Sequence, residues 1–316
     1  MQALVYARLS AFVRLGRPVF LVGGFALYAL GAAIAASRGS AIDWISFAWG
    51  QLAVTSVQLM THYSNDYFDL DADRANTTPT RWSGGSRVLP NDELPAWVAL
   101  VAALTLAAIA VVAIVVIRTR VSAGPCAWLL LAMLVLAWEY SAPPLRLHSR
   151  GVGELDTALV VTLLVPLAGF SLQTGRLELL PVAAAVPLCF LQFAMLLAVE
   201  FPDEAGDAAV GKRTLVVRLG SYRASRLYAG ALALAYVAAV AAVPAGVPWS
   251  ACFAFVTGLP VAAWLTWQTL RGEKPRQWSR IAFGTAALLI GSALLELAAF
   301  ARVAVMLGAA PGGLAR

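Results

Sequence analysis

Charged residues are scarce in this sequence of 316 residues. Asp, Glu, Lys and Arg together account for 13% of the chain, hydrophobic residues account for 60%, and the mean hydropathy is +0.77. Soluble domains carry about 25% charged residues. The apolar runs are about 20 residues long, roughly twice the length of a β-barrel strand. The scarcity of charge excludes a soluble globular protein and predicts an all-α membrane protein.

Cysteine and histidine are also rare, which limits the metal sites that the chain can form. The three cysteines, Cys126, Cys189 and Cys252, each lie inside an apolar run, where cysteine is usually a small hydrophobic residue. The two histidines, His62 and His148, have no His or Cys at the spacing of zinc ligands. We therefore expect no zinc centre, and we expect both histidines to be polar residues near the membrane interface.

Nine apolar runs are long enough to cross a bilayer, and they predict nine transmembrane helices in a single domain covering residues 1–316. The predicted spans are roughly residues 18–37, 44–64, 94–117, 124–140, 155–174, 180–200, 223–243, 248–270 and 281–307. Arginines among apolar residues at helical spacing make residues 1–17 a predicted interfacial helix. The Gly-, Ala- and Pro-rich composition of residues 308–316 predicts a disordered tail.

Lys and Arg are distributed unevenly between the two sides of this predicted bundle. Of the 23 basic residues, 17 lie in the N-terminus and in the loops on its side. The positive-inside rule therefore places the N-terminus and two long polar segments, residues 65–93 and 201–222, on the cytoplasmic side of a bacterial-type inner membrane. The net charge of +6 comes from these loops. No basic patch alternates with aromatic residues, so we expect no nucleic-acid partner.

The few acidic residues include two groups with the same spacing. Each group has three carboxylates, three and four residues apart, at the end of a predicted span: Asp66, Asp69 and Asp73 in the first, and Glu200, Asp203 and Asp207 in the second. On a helix such residues share one face, where crowded carboxylates resist joint ionisation. A divalent cation removes this conflict, and Mg²⁺ prefers hard oxygen ligands together with water and phosphate. We therefore predict a Mg²⁺ site formed by five carboxylates: Asp66, Asp69, Asp73, Asp203 and Asp207. Four of these, all except Asp73, are also the predicted catalytic residues.

Basic residues and glycines follow each acidic group. The first group is followed by Thr80-Arg81-Trp82-Ser83-Gly84-Gly85-Ser86-Arg87 and the second by Gly211-Lys212-Arg213-Thr214-Leu215. Glycine lets backbone N–H groups approach an anion closely, and basic side chains bind phosphate oxygens. We predict that a diphosphate held by the metal is bound by four residues: Asn65, Arg81, Arg87 and Lys212.

A third polar segment joins the fourth and fifth predicted spans on the same side. It begins Tyr140-Ser-Ala-Pro-Pro-Leu-Arg146, and its two prolines end the preceding helix. Tyr140 and Arg146 are candidates to face the predicted metal and diphosphate site. Arg146 is equally well explained as a basic residue that keeps this loop on the cytoplasmic side of the membrane.

The chain resembles the UbiA superfamily of intramembrane prenyltransferases over essentially its whole length. The two family motifs are matched residue by residue: N-D-x-x-D-x-x-x-D by Asn65, Asp66, Asp69 and Asp73, and D-x-x-x-D by Asp203 and Asp207. The resemblance implies a UbiA-type bundle with a cytoplasm-facing active-site cavity, where Mg²⁺ holds a polyprenyl diphosphate and an aromatic ring attacks the prenyl carbon. The prenyl tail would leave between helices into membrane lipid. Arg146, Tyr140 and Arg17 become candidates for binding the aromatic acceptor, with Arg146 first and Arg17 second for the carboxylate of a naphthoate.

Two segments are similar to the MenA-type branch, whose members prenylate 1,4-dihydroxy-2-naphthoate in menaquinone synthesis. They are Gly211–Gly220 and Gly151-Val152-Gly153-Glu154. The chain departs from that branch where Glu200, Pro202 and Asp203 stand in the frame usually read as Asn-x-x-Arg-Asp. Other acceptors (4-hydroxybenzoate, homogentisate or a chlorophyllide-like compound) and a terpene cyclase of the same family are open alternatives. A secondary transporter is a more distant one, because its coupling acids would be expected near the bilayer midplane.

Overall fold

A computed structural model of the chain describes residues 2–120, 124–271 and 275–308, and every regular element in these ranges is helical. The α-helices are α1 (Gln2–Leu15), α2 (Leu21–Ser37), α3 (Trp44–Phe68), α4 (Leu70–Ala75), α5 (Ala96–Arg120), α6 (Cys126–Glu139), α7 (Gly153–Thr157), α8 (Val165–Thr174), α9 (Leu179–Glu200), α10 (Glu204–Ala209), α11 (Leu215–Ala241), α12 (Trp249–Leu270) and α13 (Pro275–Gly308). A π-helical stretch, Ala158–Leu164, joins α7 to α8. The prediction of an all-α protein is confirmed for this part of the chain.

Seven helical segments of the described ranges are long and apolar enough to span a membrane, judged by length and composition. They coincide with seven of the nine predicted spans. The other two predicted spans are also helical, but α3 carries polar residues such as Gln51, Gln58 and His62, and α6 is only 14 residues long. The chain is an integral membrane protein, and the number of nine spans stays a prediction.

Two helices extend beyond their predicted ends into polar sequence. Helix α3 continues to Phe68, so the first acidic group begins inside it. Helix α11 begins at Leu215, where the Thr214 side chain caps it by accepting a hydrogen bond from Val217 N at 3.4 Å. Its backbone leaves helical geometry at Gly220 (φ 73°, ψ 154°), so a short first segment precedes the long apolar helix. Apolar runs mark the part of a helix that membrane or core can bury, whereas caps and breaks set where the helix ends.

The predicted N-terminal helix is present as α1. Leu15 is buried and Tyr6 is exposed. The helix ends before Arg17, whose φ of 47° turns the chain toward α2. The location of α1 at a membrane interface stays a prediction. Of the predicted tail, residues 309–316 lie outside the described residues, and Gly308 is the last residue of α13.

Small residues let the helices approach one another closely. A Cβ added at Gly31 of α2 would lie 2.0 Å from the carbonyl oxygen of Pro166, and one added at Gly50 of α3 would lie 2.0 Å from the Tyr28 hydroxyl. Contacts through small residues are typical of helices in lipid, where hydrophobic burial does not by itself drive association. Helix α2 therefore packs tightly against both α3 and α8.

The polar connections gather at the two ends of the bundle. At one end, the Thr78 hydroxyl donates to the carbonyl of Pro202 at 3.1 Å and joins the two long polar segments. At the opposite end of α3, the Asp43 amide donates to Gln173 Oε1 at 2.8 Å. Both acidic groups therefore lie at the same end of the bundle. Which side of the membrane this end faces stays a prediction.

Candidate active site

The first acidic group spans a one-residue interruption between two helices, across which the Asp69 and Asp73 amides still donate to carbonyls four residues back. Asp66 lies in the last turn of α3, Asp69 follows the C-terminal end of that helix, and Asp73 lies in the short helix α4. Their exposed fractions are 0%, 7% and 8%. The break at Asp69 leaves all three carboxyl groups buried at the end of the bundle.

The second acidic group repeats this arrangement. Helix α9 ends at Glu200, a turn of 3-10 helix carries Asp203, and α10 carries Asp207. The short helices of the two groups pack together, because Asn76 at the end of α4 donates from Nδ2 to Asp203 Oδ1 at 2.7 Å. The two acidic groups therefore meet in one place, although more than a hundred residues of chain separate them.

Lys212 bridges the two acidic groups. Its Nζ lies 2.9 Å from Asp69 Oδ2 and 3.4 Å from Asp207 Oδ1, and the residue is 8% exposed. Burial alone would lower the pKa of Lys212, but the two carboxylates outweigh burial and raise it above its usual value. The ammonium group is therefore charged at neutral pH and partly neutralises the acids.

The Gly-Gly segment closes over the carboxylates. The Gly84 amide donates to Asp203 Oδ2 at 3.0 Å, and Ser86 donates from its amide and from its hydroxyl to Asp66 Oδ2. The amides predicted to approach a phosphate thus donate to carboxylates in this structure. Their role toward a diphosphate stays a prediction.

Gly85 occupies a position that only glycine fits. Its φ is 70°, and a Cβ added there would lie 2.0 Å from Asp73 Oδ2. Arg87 donates to the backbone carbonyl of Asp73 and holds the segment against α4. Arg81 is exposed and lies over the Trp82 ring, 5.5 Å from its centroid. Diphosphate binding by Arg81 and Arg87 stays a prediction.

The carboxyl groups of the first acidic group differ in charge. Burial and the charges of Asp66 and Asp69 raise the pKa of Asp73 to about 8. Burial also acts to raise the pKa of Asp69, but the charge of Lys212 and the hydrogen bonds from Lys212 and Asn65 outweigh it, and that pKa lies below its usual value. Burial and crowding therefore favour the protonated form of Asp73 at pH 7.

The donor chemistry of this site suits a divalent cation such as Mg²⁺. Carboxylate oxygens from both groups contact Lys212, and Arg17 pairs with Asp66, yet the pKa of Asp73 is still raised by burial and by its acidic neighbours. A cation would relieve that crowding, and Mg²⁺ prefers such oxygen ligands. As the side chains stand, no three His, Cys, Asp or Glu residues of the described ranges form a cluster that could hold an ion.

An apolar cavity of about 420 Å³ opens beside the acidic site. Arg17, Asn65 and Tyr140 line it at this end, and Arg17 donates to Asn65 Oδ1 at 3.3 Å. Its walls come largely from apolar side chains of α2, α3, α9 and α13, such as Leu27, Val57, Leu196 and Leu289. Cavities of this size with a few polar groups at one end suit a small hydrophobic ligand or part of a longer one.

His148 belongs to the site, which its sequence context did not indicate. The residue is 7% exposed, and its ring stacks on that of Tyr140 with centroids 4.8 Å apart. Nδ1 lies 3.5 Å from Glu200 Oε1, and Nε2 lies 4.0 Å from Asp69 Oδ2. Burial, and then the charge of Lys212, lower the pKa of His148 to about 3, so the ring is neutral. The segment that carries His148 folds back over the acids, and the position of His148 near the membrane interface stays a prediction.

Glu154 connects the two segments that are similar to one branch of the family. Its Oε1 accepts a hydrogen bond from Leu215 N at 3.1 Å, and the residue is 1% exposed. The Gly-Val-Gly-Glu segment therefore holds the start of α11, three residues after Lys212. This contact joins the two segments.

The three candidate acceptor residues are placed differently. Tyr140 and Arg17 line the cavity. Arg146 is exposed, has a φ of 48°, and donates to the carbonyl of Phe68 at 3.4 Å. It is not among the residues that line the cavity. The geometry therefore favours Arg17 and Tyr140 over Arg146 for contact with a bound ring.

The sequence matches a known family over most of its length. A family model described as the UbiA prenyltransferase family matches residues 25–288. A 1,4-dihydroxy-2-naphthoate octaprenyltransferase of Mycobacterium tuberculosis is 28% identical over 263 residues, which cover 81% of this chain and 85% of that protein. A protein of the same name from Bacillus subtilis is 24% identical over 241 residues, or 75% of each chain.

Solved structures share the fold at low sequence identity. A UbiA homolog from Archaeoglobus fulgidus bound to GPP and Mg²⁺ aligns with a TM-score of 0.61 at 16% identity, over 93% of this chain and 99% of that one. A structure described as digeranylgeranylglyceryl phosphate synthase aligns with a TM-score of 0.64 at 14% identity, over the same shares. At these identities the likeness extends to the fold.

Proposed function

Because this chain belongs to the UbiA prenyltransferase family and is a prenyltransferase, we propose that it transfers a polyprenyl group from a polyprenyl diphosphate to 1,4-dihydroxy-2-naphthoate in menaquinone synthesis. The observation that carries the proposal is the bridge by Lys212 between two acidic groups beside an apolar cavity. The names of the two curated relatives favour this acceptor. The A. fulgidus homolog, bound to GPP and Mg²⁺, favours this donor and this metal.

The acidic site is proposed to bind the diphosphate end of the donor. Its five carboxylates would hold Mg²⁺: Asp66, Asp69, Asp73, Asp203 and Asp207. When bound, the metal neutralises negative charge that builds up on the departing diphosphate. The Lys212 ammonium group can donate to a diphosphate oxygen instead of a carboxylate oxygen while it stays in the site. Asn65 lies beside it, donating to Asp69 Oδ2 at 2.7 Å.

The apolar cavity is proposed to hold the allylic end of the donor and the acceptor ring. The bond between the allylic carbon and the diphosphate oxygen breaks, and the diphosphate leaves with the electron pair. Because the apolar walls exclude water, the allylic carbon is not hydrolysed. It forms its new bond with the electron-rich carbon of the acceptor ring. With the naphthoate acceptor, the ring carboxylate leaves as carbon dioxide. The prenyl tail would extend between helices into lipid.

Arg17 is the proposed partner of the acceptor carboxylate. A planar guanidinium binds a carboxylate through two parallel hydrogen bonds, which an ammonium cannot do. Arg17 lines the cavity, whereas Arg146 is exposed. We also propose that the chain forms one nine-span domain whose N-terminus, with the interfacial α1, and acidic site face the cytoplasm.

The test uses purified protein, Mg²⁺, a polyprenyl diphosphate and a panel of acceptors. We expect prenylation of 1,4-dihydroxy-2-naphthoate with release of carbon dioxide, and its loss when EDTA removes the metal. Turnover of 4-hydroxybenzoate, homogentisate or a chlorophyllide alone would overturn the acceptor. A cyclised hydrocarbon formed with no acceptor would instead identify a terpene cyclase.

A further inference from the structure

A buried carboxyl group of the cavity wall lies apart from the acidic site. Asp156 lines the cavity, is 7% exposed, and its Oδ1 has no hydrogen-bond partner among the described residues. Leaving a buried polar atom unpaired is costly. Such an atom in a cavity wall indicates a missing partner that belongs to a ligand.

Three other polar side chains of this wall are already engaged. Gln58 Nε2 donates to the carbonyl of Phe20 at 2.7 Å, and His62 Nδ1 lies 2.7 Å from the carbonyl of Gly16. Thr157, next to Asp156, donates to the carbonyl of Glu154 at 3.2 Å. These groups are held by the protein itself, which sets Asp156 apart from them.

The local backbone places Asp156 at the edge of the cavity. The residue lies in α7, and the π-helical stretch Ala158–Leu164 follows directly. Single π-helical turns are rare and occur frequently at functional sites. Val160 and Val161 of this stretch also line the cavity, so the carboxyl group stands at the end of an apolar wall. Gln192 of α9, 4% exposed, lines the same cavity.

The chemistry of the two substrates decides which of them Asp156 can bind. A prenyl chain has no hydrogen-bond donor, and a diphosphate offers oxygens that accept hydrogen bonds and repel a carboxylate. A hydroxyl group on an aromatic ring is a donor that suits a carboxylate. We propose that Asp156, assisted by Gln192, binds a ring hydroxyl of the aromatic acceptor and selects hydroxyaromatic acceptors over rings that lack the group. This inference rests on the proposed function, because it needs an aromatic acceptor in the cavity.

The test combines variants that lack the Asp156 carboxyl group with acceptor analogues that lack the ring hydroxyl. Inhibition constants are measured for naphthoates with and without ring hydroxyls, on wild type, Asp156→Leu and the isosteric Asp156→Asn. We expect wild type to bind the hydroxylated compound roughly tenfold or more tightly than the one without hydroxyls. In Asp156→Leu this preference should shrink to about twofold or less, and the KM for the polyprenyl diphosphate should stay within about twofold of wild type, as expected if Asp156 contacts only the acceptor.

Thr162→Val is the matched control. Thr162 lies in the same π-helical stretch, is fully buried, and its hydroxyl donates to the carbonyl of Ala158 at 2.7 Å. We expect this variant to keep the full preference for hydroxylated rings. If Asp156→Leu keeps that preference, whether or not both compounds bind more weakly, the inference is overturned. If wild type prenylates no aromatic acceptor, the proposed function fails instead, and the two failures are distinguished by the wild-type assay.

Discussion

At the residue scale, the acidic site depends on a balance of buried charges. Lys212 reaches carboxylates of both groups, Asp69 and Asp207, while Arg17 pairs with Asp66. Water screens these groups weakly, because each acid in these pairs is less than a tenth exposed. In such surroundings, loss of one partner leaves an uncompensated charge, which is more harmful than loss of an exposed pair.

We expect Lys212→Met to reduce both stability and activity. Two buried carboxylates lose their base, at a cost of about 3 kcal/mol or more, so thermal unfolding in detergent should begin several degrees earlier. Mg²⁺ should stabilise the variant more than wild type, because the cation takes over the neutralisation. Lys212→Arg keeps the charge and is the control. An unfolding midpoint of Lys212→Met equal to that of wild type without Mg²⁺ would contradict the role of the bridge.

The raised pKa of Asp73 predicts that Mg²⁺ binding releases protons. In the metal-free protein this pKa is about 8, so at pH 7 the carboxyl group is mostly protonated and must lose its proton to bind the metal. Apparent Mg²⁺ affinity should fall as the pH drops below about 8 and level off above it. Calorimetry in buffers with different ionisation enthalpies measures the released protons. The same proton release in Asp73→Asn would show that another group is responsible.

At the scale of elements, the short helices after α3 and α9 bring the two acidic groups together. Asn76 at the end of α4 donates to Asp203, and the Gly84–Ser86 segment donates to carboxylates of both groups. The backbone of this segment cannot easily shift, because Gly85 has a left-handed conformation and lies against the Asp73 carboxyl group. The short helices and the glycine segment therefore form one interlocked unit.

We expect Gly85→Ala to be far more damaging than Gly211→Ala. Both residues have a left-handed φ, 70° and 75°, so each variant loses about 1 kcal/mol from backbone strain. Only at Gly85 would the new Cβ meet a carboxylate, whereas nothing lies within 4 Å at Gly211. Activity and Mg²⁺ affinity, measured on folded protein, should drop at least about tenfold further in Gly85→Ala than in the control. Equal losses in the two variants would contradict the close contact with Asp73.

At the scale of the whole molecule, the orientation in the membrane decides which compartment supplies the substrates. Thr77 and Ala208 are exposed near the two acidic groups, and Leu177 is exposed in the connection at the other end. The charge distribution predicts that the acidic end faces the cytoplasm. A hydrophobic barrier then separates the first two positions from the third.

Labelling of single cysteines tests this arrangement. In a background without the three native cysteines, Thr77→Cys and Ala208→Cys should react with a membrane-impermeant thiol reagent only when it reaches the cytoplasmic face. Leu177→Cys should react from the opposite face. Labelling of Thr77→Cys and Ala208→Cys from different faces would contradict the meeting of the two acidic groups, and reversed labelling of all three would overturn the cytoplasmic orientation alone.

The sequence by itself determined the all-helical class, the positions of most helices and the pairing of the two acidic groups. These properties follow from patterns along the chain: apolar runs of bilayer length, and carboxylates at a repeated spacing in a chain with few charges. Lys212 was also predicted, because a basic segment follows the second acidic group as one follows the first. Family similarity then connected these patterns to a prenyltransferase.

Only the tertiary structure decided what each carboxylate contacts and which groups reach the cavity. The spacing of His148 and Asp156 in the sequence matches no motif, yet His148 is buried at the acidic site and Asp156 is buried in the cavity wall. Arg146 occupies a plausible motif but lies at the surface. The physical reason is that the charge state and the partner of a buried polar group depend on atoms brought close by packing, which sequence spacing does not encode.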